Sequence, residues 1–176
     1  QIIKHHPEFY MENHLMLDKI DFENGTVNVN GDIYPMLDTN FPTIDPNDPY
    51  KFTEAEENLM ESLRSSFLHS EKLQKHIKFL YSKGSMYLVY NNNLMYHGCI
   101  PMTEDGEFAE YEIAGERVRG KALLDRAEQI ARVGYFGTAH SDEKRYGQDF
   151  LWYLWCGSGS PVYGKSKMTS FERYFI

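Results

Sequence analysis

The chain is predicted to fold as a mixed α and β protein. Three observations support this: two Asn-Gly pairs among alternating apolar and polar residues near the start, two capped amphipathic stretches in the middle, and β-rich runs joined by Asn- and Gly-containing turns further on.

Residues 15–37 alternate around Asn24-Gly25 and Asn30-Gly31. Asn-Gly favours a type I′ hairpin turn, whose two central residues need positive φ, so a small β-meander is expected. Pro35, Pro42, Pro46 and Pro49, with the Asp and Asn residues between Asp38 and Lys51, oppose regular structure in the connector, since proline lacks an N–H and restricts its predecessor. Thr53-Glu-Ala-Glu56 is a capping box, and Leu59, Met60, Leu63 and Phe67 follow at helical spacing, giving a helix over 54–68. Ser70 caps a second helix with the stripe Leu73, Ile77 and Leu80, closed by Lys83 and Gly84, and the two are expected to form an αα-hairpin.

Met86–Tyr90 and Leu94–Ile100 are β-rich and joined by Asn91-Asn92-Asn93, a hairpin. Asp105-Gly106 turns the chain into a strand over Glu107–Ile113, and Ala114-Gly115-Glu116 turns it again into a strand ending near Arg119. Leu123, Leu124, Ala127, Ile130 and Ala131 mark a helix over 121–133. A last helix over 146–156 carries Leu151, Trp152, Leu154 and Trp155 and is broken by Gly157-Ser-Gly-Ser-Pro161. The expected division is 1–52, the meander and Pro-rich connector, and 53–176, one compact unit.

At 176 residues, 41% hydrophobic, the chain is long enough to bury a core. The net charge of −8, with no basic cluster longer than Lys165–Lys167, supplies no footprint for a nucleic-acid backbone. Cys99 and Cys156 have neither disulfide-framework nor C-x-x-C spacing, which fits a reducing, cytoplasmic setting. No window approaches a membrane span. Gln1-Ile2-Ile3 lacks an initiator Met and Phe171–Ile176 is aromatic-rich, so a piece of a longer protein is expected.

The sharpest candidate is His97, at the end of an apolar strand and directly before Gly98. A strand end holds an imidazole rigidly, and a residue without Cβ lets backbone, metal or phosphate come close. A hydrogen-bonded structural histidine is the competing reading. Cys99 falls on the same strand face as His97 by the period-two rule, which allows a Cys/His pair, although packing is the more ordinary role for a buried cysteine. Gly159-Ser-Pro-Val-Tyr-Gly164-Lys165-Ser166 matches the phosphate-loop pattern G-x-x-x-x-G-K-[ST]. That pattern needs a strand before it and a helix after it, and Pro161 removes one cradling donor, so a chance match is inferred. Gly31-Asp32 is turn chemistry, and His5, His6, His14, His69, His76 and His140 are expected on the solvated surface. The abundant Tyr and Trp residues are expected in core and interface and not as a sugar-binding platform.

The run Tyr90-Asn-Asn-Asn-Leu-Met-Tyr-His-Gly-Cys-Ile-Pro101 resembles the strand-His-Gly-Gly block of the metallophosphoesterases, with Cys99 in place of the second glycine. Four further blocks make the resemblance to class III fructose-1,6-bisphosphatase closer. They are Met36-Leu-Asp-Thr-Asn-Phe-Pro-Thr-Ile-Asp-Pro-Asn-Asp-Pro-Tyr50, His69-Ser-Glu-Lys-Leu-Gln-Lys-His76, Leu151-Trp-Tyr-Leu-Trp155 and Gly164-Lys-Ser-Lys-Met-Thr-Ser-Phe-Glu-Arg-Tyr-Phe-Ile176.

The resemblance implies an α/β fold, a calcineurin-like α-β-β-α sandwich of which this chain would be an α+β fragment. It implies hydrolysis of the 1-phosphate of fructose 1,6-bisphosphate, a gluconeogenic step, at two divalent metals, in that family usually manganese. Carried over residue by residue, His97 matches a ligand of one metal. The other ligand blocks would lie before Gln1 and after Ile176, so no further catalytic residue is identified here and the chain alone is expected to be inactive. Lys165, Lys167 and Arg173 are candidates for the remote phosphate, with a solvated basic face as the competing reading. The implied partners are the sugar bisphosphate and the remaining segments of the parent chain, with homo-oligomers left open and neither nucleic acid nor membrane expected. A non-catalytic assembly or regulatory module is the alternative.

Overall fold

The computed structural model describes residues 1–165 and 172–175. The elements are, in chain order, α1 (Ile2–His5), β1 (Ile20–Asp21), β2 (Thr26–Val29), β3 (Asp32–Pro35), α2 (Glu54–Leu68) and α3 (Glu71–Lys83). They continue with β4 (Tyr87–Tyr90), β5 (Asn93–Tyr96), β6 (Glu110–Ile113), β7 (Glu116–Arg119), α4 (Gly120–Phe136) and α5 (Asp142–Cys156). The predicted mixture of helix and sheet is present. Among the described residues the sheets are all antiparallel, in the orders β1-β2-β3, β4-β5 and β6-β7, with no parallel strand pair.

The residues group into two compact units, Gln1–Asn13 with Tyr81–Met168, and His14–Leu80 with Thr169–Ile176. This grouping is discontinuous in sequence. In the second unit the meander forms as predicted, with Val27 fully buried. Asn30 and Gly31 both take positive φ, as a type I′ turn requires, and Asn28 Oδ1 accepts from the Gly31 N–H at 3.0 Å. At the first Asn-Gly pair only Gly25 does so. There the Asp21 carboxylate organises the turn, accepting from Asn24 Nδ2 at 2.7 Å and from the Asn24 and Glu23 N–H groups, and these bonds hold it below the usual carboxylate range.

The capping box of α2 is complete: Thr53 N–H donates to Glu56 Oε2 at 2.8 Å and Glu56 N–H to Thr53 Oγ1 at 3.3 Å. Yet neither α2 nor α3 has a buried residue, and they do not pack as the expected αα-hairpin. His69 closes α2 through its N–H to Ser65 O and Ser70 at once caps α3, so no residue takes the left-handed conformation that would turn the chain back. The stripe Leu59, Met60, Leu63 and Phe67 is exposed.

The core of the first unit gathers Phe9, Met11, Ile113, Leu123, Ala127, Ile130, Phe150, Tyr153 and Leu154, whereas many other aromatic residues, among them Tyr10, Phe52, Phe67, Tyr90 and Trp155, are exposed. Burying Phe9 or Phe150 contributes about 2–3 kcal/mol each. Helices α4 and α5 approach so closely that a Cβ on Gly134 would lie 2.5 Å from the Gly147 carbonyl carbon. Helix α5 begins earlier than its apolar stripe indicates, because Ser141 caps it, Oγ accepting from Lys144 N–H at 3.2 Å. His6 departs from the expected solvated surface. Its ring stacks on Phe9 at 4.8 Å, with Nδ1 2.9 Å from Glu8 and Nε2 3.0 Å from Asp149.

Glu128 on α4 anchors the entry to β4. Its carboxylate accepts from the Ser85 hydroxyl at 2.5 Å, from Met86 N–H at 3.0 Å and from Arg132 Nε at 2.8 Å. Burial pushes its pKa up, but these donors outweigh burial and hold it below the usual value. A depressed carboxylate stabilises the fold above its unfolded pKa, about 4.3, and the contribution fades as pH falls through the folded value. In urea titrations the stability gap between the wild type and Glu128→Gln should therefore be widest near pH 7 and shrink toward pH 3; a gap independent of pH would contradict this. Gly134→Ala should lower stability by roughly 1–3 kcal/mol, because the added methyl overpacks the α4–α5 contact.

Candidate functional site

His97 sits where strand β5 ends. The strand stops at Tyr96, opposite Tyr87, and the chain bends at His97-Gly98, so the strand predicted to run to Ile100 is shorter. The period-two argument consequently fails for Cys99. His97 is exposed, whereas Cys99 is half-buried with its thiol 3.7 Å from Ser160 O, and the Cys/His pair is replaced by this thiol–carbonyl contact.

Two anchors fix the backbone around His97. On the strand side, the β4–β5 hairpin is tied to α4 through the Tyr87 hydroxyl, which donates to Asp125 Oδ1 at 3.0 Å, and through Met86 N–H to Glu128. On the other side, Gly98 lies against the loop after α5. A Cβ there would stand 2.5 Å from both the Pro161 and the Val162 carbonyl oxygens, so only glycine fits, and Cys99 N–H donates to Pro161 O at 2.9 Å. Gly164 closes the contact from the far end: at φ +63, a Cβ on it would meet the Gly98 carbonyl carbon at 3.4 Å.

The loop holds its own shape. Gly157 N–H donates to Tyr153 O at 2.6 Å, Ser160 N–H to Gly157 O at 3.2 Å and Gly164 N–H to Ser160 O at 3.0 Å. Ser160 is 0% exposed. Its hydroxyl donates to Leu154 O at 2.6 Å and accepts from Val162 N–H and Tyr163 N–H, both at 3.2 Å. The amides of Ser160, Val162, Tyr163 and Gly164 are thus all engaged inside the loop, which follows a helix. It offers them to no phosphate, in keeping with a chance match to the phosphate-loop pattern.

Of the expected phosphate contacts, Lys165 and Arg173 are described, and they belong to different units. Lys165 is exposed and follows Gly164, whose backbone lies against Gly98. Arg173 belongs to the other unit, where its guanidinium lies 5.1 Å from the Tyr174 ring and donates to the Tyr174 hydroxyl oxygen at 3.3 Å. That hydrogen bond raises its pKa further. Lys167 lies outside the described residues.

An imidazole that is exposed at a strand end has the chemistry of a metal ligand. Among the described residues no group of three or more His, Cys, Asp or Glu side chains could hold a metal ion. Sequence reasoning missed Ser160 and the two carbonyls that face Gly98; the adjacent Gly-Ser-Pro marked a turn but not its target.

Burial pushes the thiols of both Cys99 and Cys156 up. Neither should react rapidly with iodoacetamide at pH 7, with Cys156 the slower because it is fully buried. Mass spectrometry after timed exposure checks this, and prompt labelling of Cys156 in the native protein would contradict it.

A family model described as Firmicute fructose-1,6-bisphosphatase matches residues 1–176. A fructose-1,6-bisphosphatase class 3 of Clostridium novyi (strain NT) is 57% identical over 176 residues, 100% of this chain and 26% of that protein. One from Clostridium botulinum (strain Langeland / NCTC 10281 / Type F) is 55% identical over the same 100% and 26%. The chain spans about a quarter of the length of these curated relatives. No solved structure matches it.

Proposed function

The chain belongs to the Firmicute fructose-1,6-bisphosphatase family, and from that premise we propose that it is part of a metal-dependent phosphatase that hydrolyses the 1-phosphate of fructose 1,6-bisphosphate in gluconeogenesis. The observation that carries the proposal is the exposed imidazole of His97, set at the end of a tethered hairpin beside a glycine that only a close backbone contact explains.

In this reading His97 supplies one nitrogen to a two-metal site, with manganese as the metal, and residues outside this chain complete it. The chemistry supplied by a bound divalent pair is neutralisation of phosphate charge and acidification of water. The chain's own contribution is positional. The β4–β5 hairpin and the Gly98 contact hold the imidazole in place without an ordering cost at each turnover. Lys165, next to the Gly164 backbone that lies against Gly98, is the basic candidate for meeting a phosphate, whereas Arg173 is already engaged by Tyr174. The small antiparallel sheets and helices form part of a calcineurin-like sandwich in the whole enzyme, which works in the cytoplasm. No described helix is long and apolar enough to cross a membrane.

The exposed apolar stripe of α2 favours a second reading, in which the segment is a module for assembly or regulation. One experiment separates the two. In the full-length enzyme, His97→Ala should lower kcat/KM at least 10- to 100-fold, and Lys165→Ala should raise KM about tenfold through loss of a charge-assisted hydrogen bond. Residues 1–176 expressed alone should show no phosphatase activity. Unchanged activity in His97→Ala would remove His97 from the site and leave the module reading.

A further inference from the structure

We propose that Ser160, which touches neither substrate nor metal in the reading above, is a positioning residue for His97. The proposal rests on that functional reading and extends it to a residue 61 positions from Cys99 in sequence. Its chain of contacts is continuous. The Ser160 hydroxyl has one proton and two acceptor sites, and all are used, on Leu154 O, Val162 N–H and Tyr163 N–H. Those bonds tie the C-terminal turn of α5, which is packed in the core, to the peptide groups on either side of Val162. The loop so shaped presents Pro161 O and Val162 O to Gly98, at the distance where a Cβ would begin, and Pro161 O accepts from Cys99 N–H.

The peptide that follows His97 is therefore set by a hydroxyl buried under the loop. A serine with this many bonds has a structural effect in any protein. Here its effect is directed, because the two carbonyls it orients meet the residue next to the candidate ligand. Removing the hydroxyl leaves Val162 and Tyr163 N–H groups free to re-aim the loop, and the imidazole loses its fixed base. Adding a methyl at Gly98 attacks the same contact from the opposite side without touching Ser160 or α5.

The test uses the full-length enzyme with Mn2+ alone as the probe, its free concentration read by electron paramagnetic resonance, alongside thermal midpoints and turnover. Measured well below their melting temperatures, Ser160→Ala and Gly98→Ala should each weaken Mn2+ binding about tenfold. The double variant should bind no more weakly than the weaker single variant, because both act through one contact. His97→Ala serves as the reference. If His97→Ala weakens Mn2+ binding while either Ser160→Ala or Gly98→Ala binds as the wild type, the positioning role is overturned and the metal-ligand reading stands. If His97→Ala itself binds Mn2+ as the wild type, the functional reading falls and the positioning role with it.

Discussion

Two carbonyl oxygens, those of Pro161 and Val162, occupy the space where any side chain at position 98 would start. The site is organised by that exclusion. It forces glycine at 98, bends the chain immediately after β5, and turns Cys99 inward to a backbone oxygen while leaving His97 facing out. The loop that imposes it is in turn fastened to the last turn of α5, and α5 is fastened to α4 across the Gly134–Gly147 approach. A perturbation in the helix pair thus has a short mechanical route to the backbone at Gly98, through packed atoms with little room to relax.

The two units draw on different sources of stability. In the first, aromatic burial around Phe9, Phe150 and Tyr153 dominates, and polar groups such as Glu128 and Arg132 fasten connections over that core. Arg132 donates to Tyr81 O at 2.7 Å and Gly84 O at 2.9 Å, so the end of α3 is held by a charge with defined partners. In the second, α2 owes its definition to the local chemistry of Thr53 and Glu56 and its apolar stripe has no buried member. Capping can specify where a helix starts, but tertiary burial normally supplies most of the stability of a helix this long.

Local features were legible and distant ones were not. The start and end of α2, the Asn30-Gly31 turn and the β4–β5 hairpin follow from residues within a few positions of each other, where caps and positive-φ turns operate. His97 was legible as a candidate because Gly98 is unusual beside an apolar strand and its block resembles that of the metallophosphoesterases, while four blocks elsewhere in the chain carried the closer family resemblance. The partner of Gly98 was not legible, since nothing near residues 97–99 encodes a contact with Pro161. The missing αα-hairpin has a similar cause: two compatible stripes say that each helix wants cover, not that they cover each other. The early start of α5 was hidden by a wholly polar first turn, and the position of His6 by the distance in sequence to Asp149.

A loop whose amide protons already have acceptors inside the fold behaves as a wall and not as a cradle. Phosphate-gripping loops rearrange or tighten when their anion arrives, whereas the amides of Val162 and Tyr163 have no vacancy to fill. Their hydrogen–deuterium exchange should consequently be slow and indifferent to occupancy, set by the openings that separate the end of α5 from its loop. Selection among anions at such a place falls to mobile side chains, and so to charge that added electrolyte can screen.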